Sequence, residues 1–175
     1  MTLPTDYVDG DVLTAADVNA ITTAVNAISP AFIKFAKTTD ITTRLSTSVN
    51  FTDSGVSLSY TPINASNTLI ISAHFVGGWN GTDVNDATKE VYFELYDSSA
   101  AAQIVQTRLS YVTEAPSDDP YQFLTPVAMV GTTTANSTSA RTYKIRYKSA
   151  VANSGSVAMN NAEGTCYLTV SEVAP

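Results

Sequence analysis

The stretch KEVYFELYD, residues 89–97, alternates apolar and polar positions with a period of two. In an extended strand its two sets of side chains fall on opposite faces: Val91, Phe93 and Leu95 on one, and Tyr92, Glu94 and Tyr96 on the other. The same alternation recurs in RTYKIRYKS (141–149) and TCYLTVSEV (165–173). One packed face and one wetter face are typical of antiparallel sheet.

Six further segments have strand character and are separated by turn-rich stretches such as TDSG, INASN, GGWNGTD and EAPSDDP. The nine predicted strands cover residues 31–37, 56–60, 68–76, 89–97, 103–112, 121–130, 141–149, 156–160 and 165–173. No amphipathic helical pattern lies between them, which argues against parallel βαβ units. We therefore predict a mainly β fold, an antiparallel jelly-roll-like β-sandwich over residues 31–175.

The composition narrows the classes of function. Only 14% of the residues are charged, so the polar positions are filled largely by Ser, Thr and Asn. A net charge of −7 repels phosphate backbones, which excludes nucleic acid as an expected partner. The first residues lack the basic and apolar regions of a signal peptide, and no apolar run is long enough to span a membrane. We expect no membrane insertion.

Residues 1–30 form a separate unit, an extended arm followed by one short α-helix in GDVLTAADVNAITTAVNAI, residues 10–28. Thr14 is a good N-cap, and Asp17 lies where the helix dipole favours negative charge. Pro30 ends the helix, because the residue before a proline is pushed out of helical geometry. Four of the seven net negative charges lie in this unit, so a partner that binds it through charge should be basic.

The helix carries a narrow apolar seam with spacings of three, four and three, formed by Val18, Ile21, Val25 and Ile28, with Leu13 as a hydrophobic staple before the cap. This a/d spacing over two heptads favours a trimer over a dimer, because Ile occupies d and Val occupies a. A helix of this length is marginal alone in water. It therefore associates with its own copies, docks on another protein, or packs on its own β-domain.

Residues that could carry catalysis are scarce. His74 is the only histidine and Cys166 the only cysteine, and Cys166 alternates with Leu168 and Val170 as a core residue would. One His and one Cys do not make a zinc site. The carboxylates of DVND (83–86) and of Asp118 and Asp119 are interpreted as turn residues, with a weak calcium site in DVND as the alternative. We expect no catalytic residues, no cofactor and no metal.

Aromatic side chains on predicted outer faces or in loops are candidates for recognition. Trp79, in the predicted loop GGWNGTD, and Tyr121 are the two that we single out. Exposed Trp and Tyr can stack on sugars or anchor a protein interface. They would serve a host-surface glycan or another protein.

The run YVDGDVLTAADVNAITTAVNA, residues 7–27, resembles the N-terminal segment of many structural proteins of tailed bacteriophages. The β-domain is similar in pattern to the trimeric jelly-roll heads of phage fibres and to the tumour-necrosis-factor-like fold, through SVNFTDSGVSLSYTP, KEVYFELYDSS and CYLTVSEVAP. The chain has no repetitive shaft, so a short fibre, spike, head fibre or decoration protein fits better than a long tail fibre.

The resemblance implies a non-enzymatic homotrimer located in the virion, made in the host cytoplasm and bound to other capsid or tail proteins through residues 1–30. Two alternatives remain open at this point. One is the carbohydrate-binding receptor head of a tail or head fibre, and the other is an enzyme such as a polysaccharide depolymerase.

Overall fold

The computed structural model describes residues 19, 32–83, 88–112, 117–150, 155–160 and 164–175. Within these ranges lie the strands β1 (Phe32–Asp40), β2 (Arg44–Ser46), β3 (Thr52–Tyr60), β4 (Thr68–Asp83), β5 (Thr88–Asp97), β6 (Ala102–Val112), β7 (Ser117–Thr134), β8 (Arg141–Ser149), β9 (Ser156–Met159) and β10 (Cys166–Val173). All nine predicted segments contain a strand. The prediction missed β2 and ended β4 too early, and it began β7 too late.

Sheet A is organised around β4. Along one side β4 pairs with β7 over almost its whole length, from Thr68 to Asp83. Along the other side it pairs first with β10 and then with β9. The outer edge follows the same division, since β1 pairs with β10 and β2 with β9. β1 and β2 therefore share the outer position of sheet A, and β10 and β9 share the position between them and β4.

Sheet B has the order β3-β8-β5-β6. When β1/β2 and β9/β10 are each counted as one strand, the chain has eight strands. The first, eighth, third and sixth form sheet A, and the second, seventh, fourth and fifth form sheet B, with every pairing antiparallel. This order is that of a jelly roll, which confirms the predicted fold class.

The core lies between the two sheets and is built mainly by alternation, with runs of consecutive buried residues in β4, β5 and β9. Every second residue of β8, from Arg141 to Ser149, is buried. Sheet A contributes its inward side chains from β4, β7 and β10, among them Leu69, Ile71, Met129, Leu168 and Val170. Cys166 is fully buried in this cluster, as predicted, and burial raises the pKa of its thiol to about 12. The thiol is therefore a small core side chain and not a nucleophile.

The sandwich has two distinct ends. Phe32 pairs with Val173, which pairs with Thr68, which in turn pairs with Thr134. Residues 1–31 therefore join the β-domain at this end, which we call the entry end. The opposite, far end is where β4, β6 and β8 finish. Of the predicted helix the structure describes only Asn19, which is helical and exposed.

Candidate functional site: two sheet faces and the entry end

The outer face of sheet B carries a set of ion pairs between neighbouring strands. Among the described residues, Lys144 pairs with Asp53 at 2.5 Å, Arg146 pairs with Glu94, and Arg108 pairs with Glu90 at 3.2 Å. The Arg146–Glu94 pair follows from the register, because Glu94 lies opposite Arg146 across the β5–β8 ladder. Cross-strand charges of opposite sign stabilise a sheet.

The aromatic rings of the same face are covered by its own cations. The guanidinium carbon of Arg146 lies 3.6 Å from the ring centroid of Tyr96. The Lys148 ammonium lies 4.7 Å from the centroid of Phe51 and 5.0 Å from that of Tyr92. Cation–π contacts of this kind occupy the ring faces that a sugar would stack on. The charged and aromatic side chains described here on the outer face of sheet B are therefore already in contact with one another.

The outer face of sheet A is different in character. Its side chains form three rows across the sheet: Phe35–Ser171–Ile70–Thr132, Lys37–Thr169–Ser72–Val130 and Thr39–Tyr167–His74–Ala128. Phe35 is 51% exposed, Val130 58% and Tyr167 39%. Lys37 lies 4.3 Å from the ring centroid of Tyr167. No Asp or Glu points outward from residues 35–39, 70–76, 126–134 or 167–173.

His74 and Cys166 lie on opposite sides of sheet A. His74 is exposed on the outer face beside Tyr167, whereas Cys166 is buried on the inner face. A nucleophile and base formed by these two residues is therefore excluded. In the parts of the chain that the structure describes, no group of three His, Cys, Asp or Glu side chains is placed to hold a metal ion.

The prediction that Trp79 is a surface anchor in a loop is wrong. Trp79 lies within β4, opposite Phe123 on one side and Val157 on the other, and is only 2% exposed. The neighbouring glycines leave room for its ring: a Cβ added at Gly155 would lie 2.4 Å from Trp79 Cζ2 and one at Gly81 2.8 Å from it. Gly81, which the sequence indicated as part of a turn, is a packing position, and so is Gly155.

The remaining predicted site residues fall in three groups. Tyr121 pairs with Gly81 through the backbone, and its side chain lies outside the described residues, so its role stays a prediction. Asp118 and Asp119 belong to β7 and not to a loop. The seam residues Leu13, Val18, Ile21, Val25 and Ile28 lie outside the described residues, as does most of DVND.

At the entry end a buried ion pair ties two loops together. Arg141 donates to Asp97 through Nε at 2.8 Å and also through Nη2, and its Nη1 donates to the carbonyl oxygens of Thr134 and Ala135 at 2.9 and 2.6 Å. Asp97 Oδ1 accepts from the backbone N–H of Ser99 at 2.9 Å. A groove of about 320 Å³, lined mostly by Ser and Ala residues, lies at this end. Arg141 lines it, with its donors directed to Asp97 and the two carbonyls.

A second buried carboxylate at the same end anchors the loop between β3 and β4. Glu172, 0% exposed, accepts from Tyr60 Oη at 2.6 Å, Ile63 N at 2.9 Å, Asn64 N at 3.2 Å and Asn67 Nδ2 at 2.7 Å. Burial alone would raise the pKa of Glu172, but these hydrogen bonds to the ionised form outweigh it and hold that pKa below its usual range.

Glu172→Gln is expected to lower the free energy of unfolding by about 2–3 kcal/mol at pH 7, because the buried donors around this position lose their charged acceptor. The folded-state pKa of Glu172 lies below the unfolded value of about 4.3, so its stabilisation is present above that pH and is lost as the pH falls through the folded pKa. Urea unfolding of both proteins between pH 7 and pH 3 should show the difference shrinking.

Glu90→Gln is the matched control for this prediction. Glu90 pairs with Arg108, whose side chain is 57% exposed, so the change should cost less than about 1 kcal/mol at any pH. A difference between wild type and Glu172→Gln that stays constant down to pH 3 would contradict the role given to the ionised Glu172.

Comparisons with known proteins find structural neighbours alone. No family model matches the chain, and no curated relative matches it. Among solved structures, the fold is similar to the infectious bursal disease virus VP2 subviral particle, with 14% identity and a TM-score of 0.31 over 81% of this chain and 38% of that one. The Gt strain of the same virus gives 14% identity and a TM-score of 0.30 over the same shares. The chain spans about two fifths of these proteins, and a likeness this low carries no functional argument.

Among the described residues there is no helix with the length and apolar character needed to cross a bilayer.

Proposed function

We propose that this chain is a non-enzymatic structural component of a bacteriophage virion. In this proposal it is a trimeric short fibre, spike or decoration protein, attached to the particle through residues 1–30. The observation that carries the proposal is the phage-like run of residues 7–27 placed directly before a jelly-roll domain. The buried position of Cys166, on the other side of sheet A from His74, supports a non-enzymatic role.

The two ends of the sandwich support a direction for the assembly. Only four residue steps separate Ile28, the last seam position, from Phe32, the first residue of β1. Such a link spans at most about 14 Å. A seam of three helices would therefore hold three β-domains by their entry ends, with the far ends projecting away from the attachment point.

The trimer is tested by sedimentation velocity on the full chain and two variants. Wild type is expected to sediment as three chains. Ile21→Asp, which places a carboxylate in the predicted seam, should sediment as a monomer, because a buried unpaired charge is costly. Thr23→Asp changes the opposite side of the same helix and should remain a trimer.

Two results would contradict this part of the proposal. One is a wild-type chain that stays monomeric at all concentrations. The other is an Ile21→Asp variant that is as trimeric as Thr23→Asp, which would show that the seam does not hold the chains together.

The carbohydrate-binding alternative named Trp79 and Tyr121 as its recognition residues. The burial of Trp79 removes one of the two, and the aromatic rings on the outer face of sheet B lie beneath Arg146 and Lys148. We therefore place virion assembly ahead of glycan recognition.

A further inference from the structure

We infer that the outer face of sheet A is the surface through which the β-domains of neighbouring copies of this chain meet. The occupant is a second copy of the same chain. This inference rests on the proposed trimer and adds to it a contact between the β-domains themselves, apart from the helical seam.

The first support is the apolar and hydroxylated character of this face. Phe35, Tyr167 and Val130 are large, apolar or amphipathic, and exposed, and Ser and Thr side chains lie between them. The register places these three residues on different strands and in different rows, so what they share is one sheet face whose other side chains are mostly small or hydroxylated. Here the register places Lys37, Thr169, Ser72 and Val130 in one row, and Tyr167 lies in the next row.

The second support is charge. The chain carries −7, so two copies repel each other through most surfaces. Sheet B places Asp53, Glu90 and Glu94 on its outer side, whereas the three rows of sheet A contain no outward carboxylate. The carboxylate-free face is therefore the surface on which two acidic copies can approach at the lowest electrostatic cost.

The third support is the path of the chain. Residues 1–31 lead directly into β1, and β1 is the edge strand of sheet A, paired only with β10 among the described strands. Copies joined by their helices are thus joined next to sheet A. The short link keeps the entry ends of neighbouring copies, and with them the β1 strands, near the common axis.

The size of the face indicates that it acts together with the seam. Four strands about 4.8 Å apart and about eight residues long cover roughly 400–500 Å² of sheet. A stable interface buries about 800 Å² on each partner. The face alone is smaller than that, so its loss should weaken the trimer in the presence of an intact seam.

The test is sedimentation equilibrium of the full chain over a concentration series at fixed ionic strength. Val130→Asp adds a carboxylate at a position that is 58% exposed, so folding of the single chain is preserved. We expect its trimer to dissociate at concentrations at least about tenfold higher than wild type does. Tyr167→Asp, two strands away, should have the same effect. Ser57→Asp, exposed on the outer face of sheet B, is the matched control and should change the dissociation concentration less than about twofold.

The outcomes separate this inference from the proposed trimer. If Ile21→Asp dissociates the trimer while Val130→Asp and Tyr167→Asp match Ser57→Asp, the face inference is overturned and the seam stands. If wild type is monomeric at every concentration, both are overturned. Dissociation of the two sheet A variants, with Ser57→Asp unchanged, supports the contact.

Discussion

Replacement of Asp97 by alanine is expected to lower the free energy of unfolding by about 3–5 kcal/mol, because it leaves the guanidinium of Arg141 buried without its counter-charge. The Arg141 side chain is 10% exposed and that of Asp97 is 1% exposed, so both charges are largely shielded from water in the folded protein. The substitution also removes the acceptor of the Ser99 and Ala100 backbone N–H groups. Urea denaturation at pH 7 measures the change.

Asp53→Ala is the control for that measurement. Asp53 also pairs with a cation on β8, but its side chain is 43% exposed and that of Lys144 is 30% exposed. A solvent-screened pair of this kind contributes at most about 1 kcal/mol. Equal losses in Asp97→Ala and Asp53→Ala would contradict the view that the entry end is held by a buried ion pair.

Trp79→Ala is expected to cost about 3–5 kcal/mol, the range for removal of a large aromatic side chain from a packed core. The ring fills space bounded by Gly81 and Gly155, and the backbone around it is fixed by β7 on one side and β9 on the other. The cavity therefore has little freedom to collapse. Thermal and urea unfolding of the variant measure the effect.

Leu45→Ala gives the comparison, since Leu45 is an apolar strand residue in sheet A that is 52% exposed. Its loss should change stability by no more than about 0.5 kcal/mol. A Trp79→Ala variant as stable as Leu45→Ala would restore the interpretation of Trp79 as a surface anchor.

The strands were predictable because alternation is a local signal. In β5 and β8 the side chains that face the core are those that the period of two assigns to it. The three residues of β2 are too few to show any period, so that strand was missed. The jelly-roll-like sandwich was predicted from strand number and from the absence of helical patterns between the strands, without the order of the strands in either sheet.

The errors in strand length have a common cause in glycine and proline. Gly77, Gly78 and Gly81 indicated a turn, but a Cβ at Gly77 would lie 2.7 Å from Phe93 Cζ, so this glycine makes room across the core. Pro120, in the turn-rich stretch EAPSDDP, indicated a turn before β7, whereas Pro126 lay inside the predicted strand 121–130. They are tolerated because β7 pairs with β4 on one side only within the described sheet, and an edge strand does not need every N–H.

The buried charges could not be predicted, because their partners are far apart in sequence. Arg141 and Asp97 are 44 positions apart, and Glu172 and Tyr60 are 112 apart.

The exposed face of sheet A was missed for a different reason. Val127 and Val130 lie three positions apart in one strand, so a period of two places them on opposite faces without saying which face is inward. The structure shows that Val127 is buried and that Val130 faces outward.

The most direct test of the central claim is to locate the protein on an intact phage particle. An antibody raised against the β-domain, used in electron microscopy of purified virions, should label fixed positions on the particle surface. Virions purified from a phage that encodes the Ile21→Asp variant should lose the label. Purified virions that bind no antibody, with the protein found only in the unassembled fraction of the lysate, would contradict a structural role in the virion.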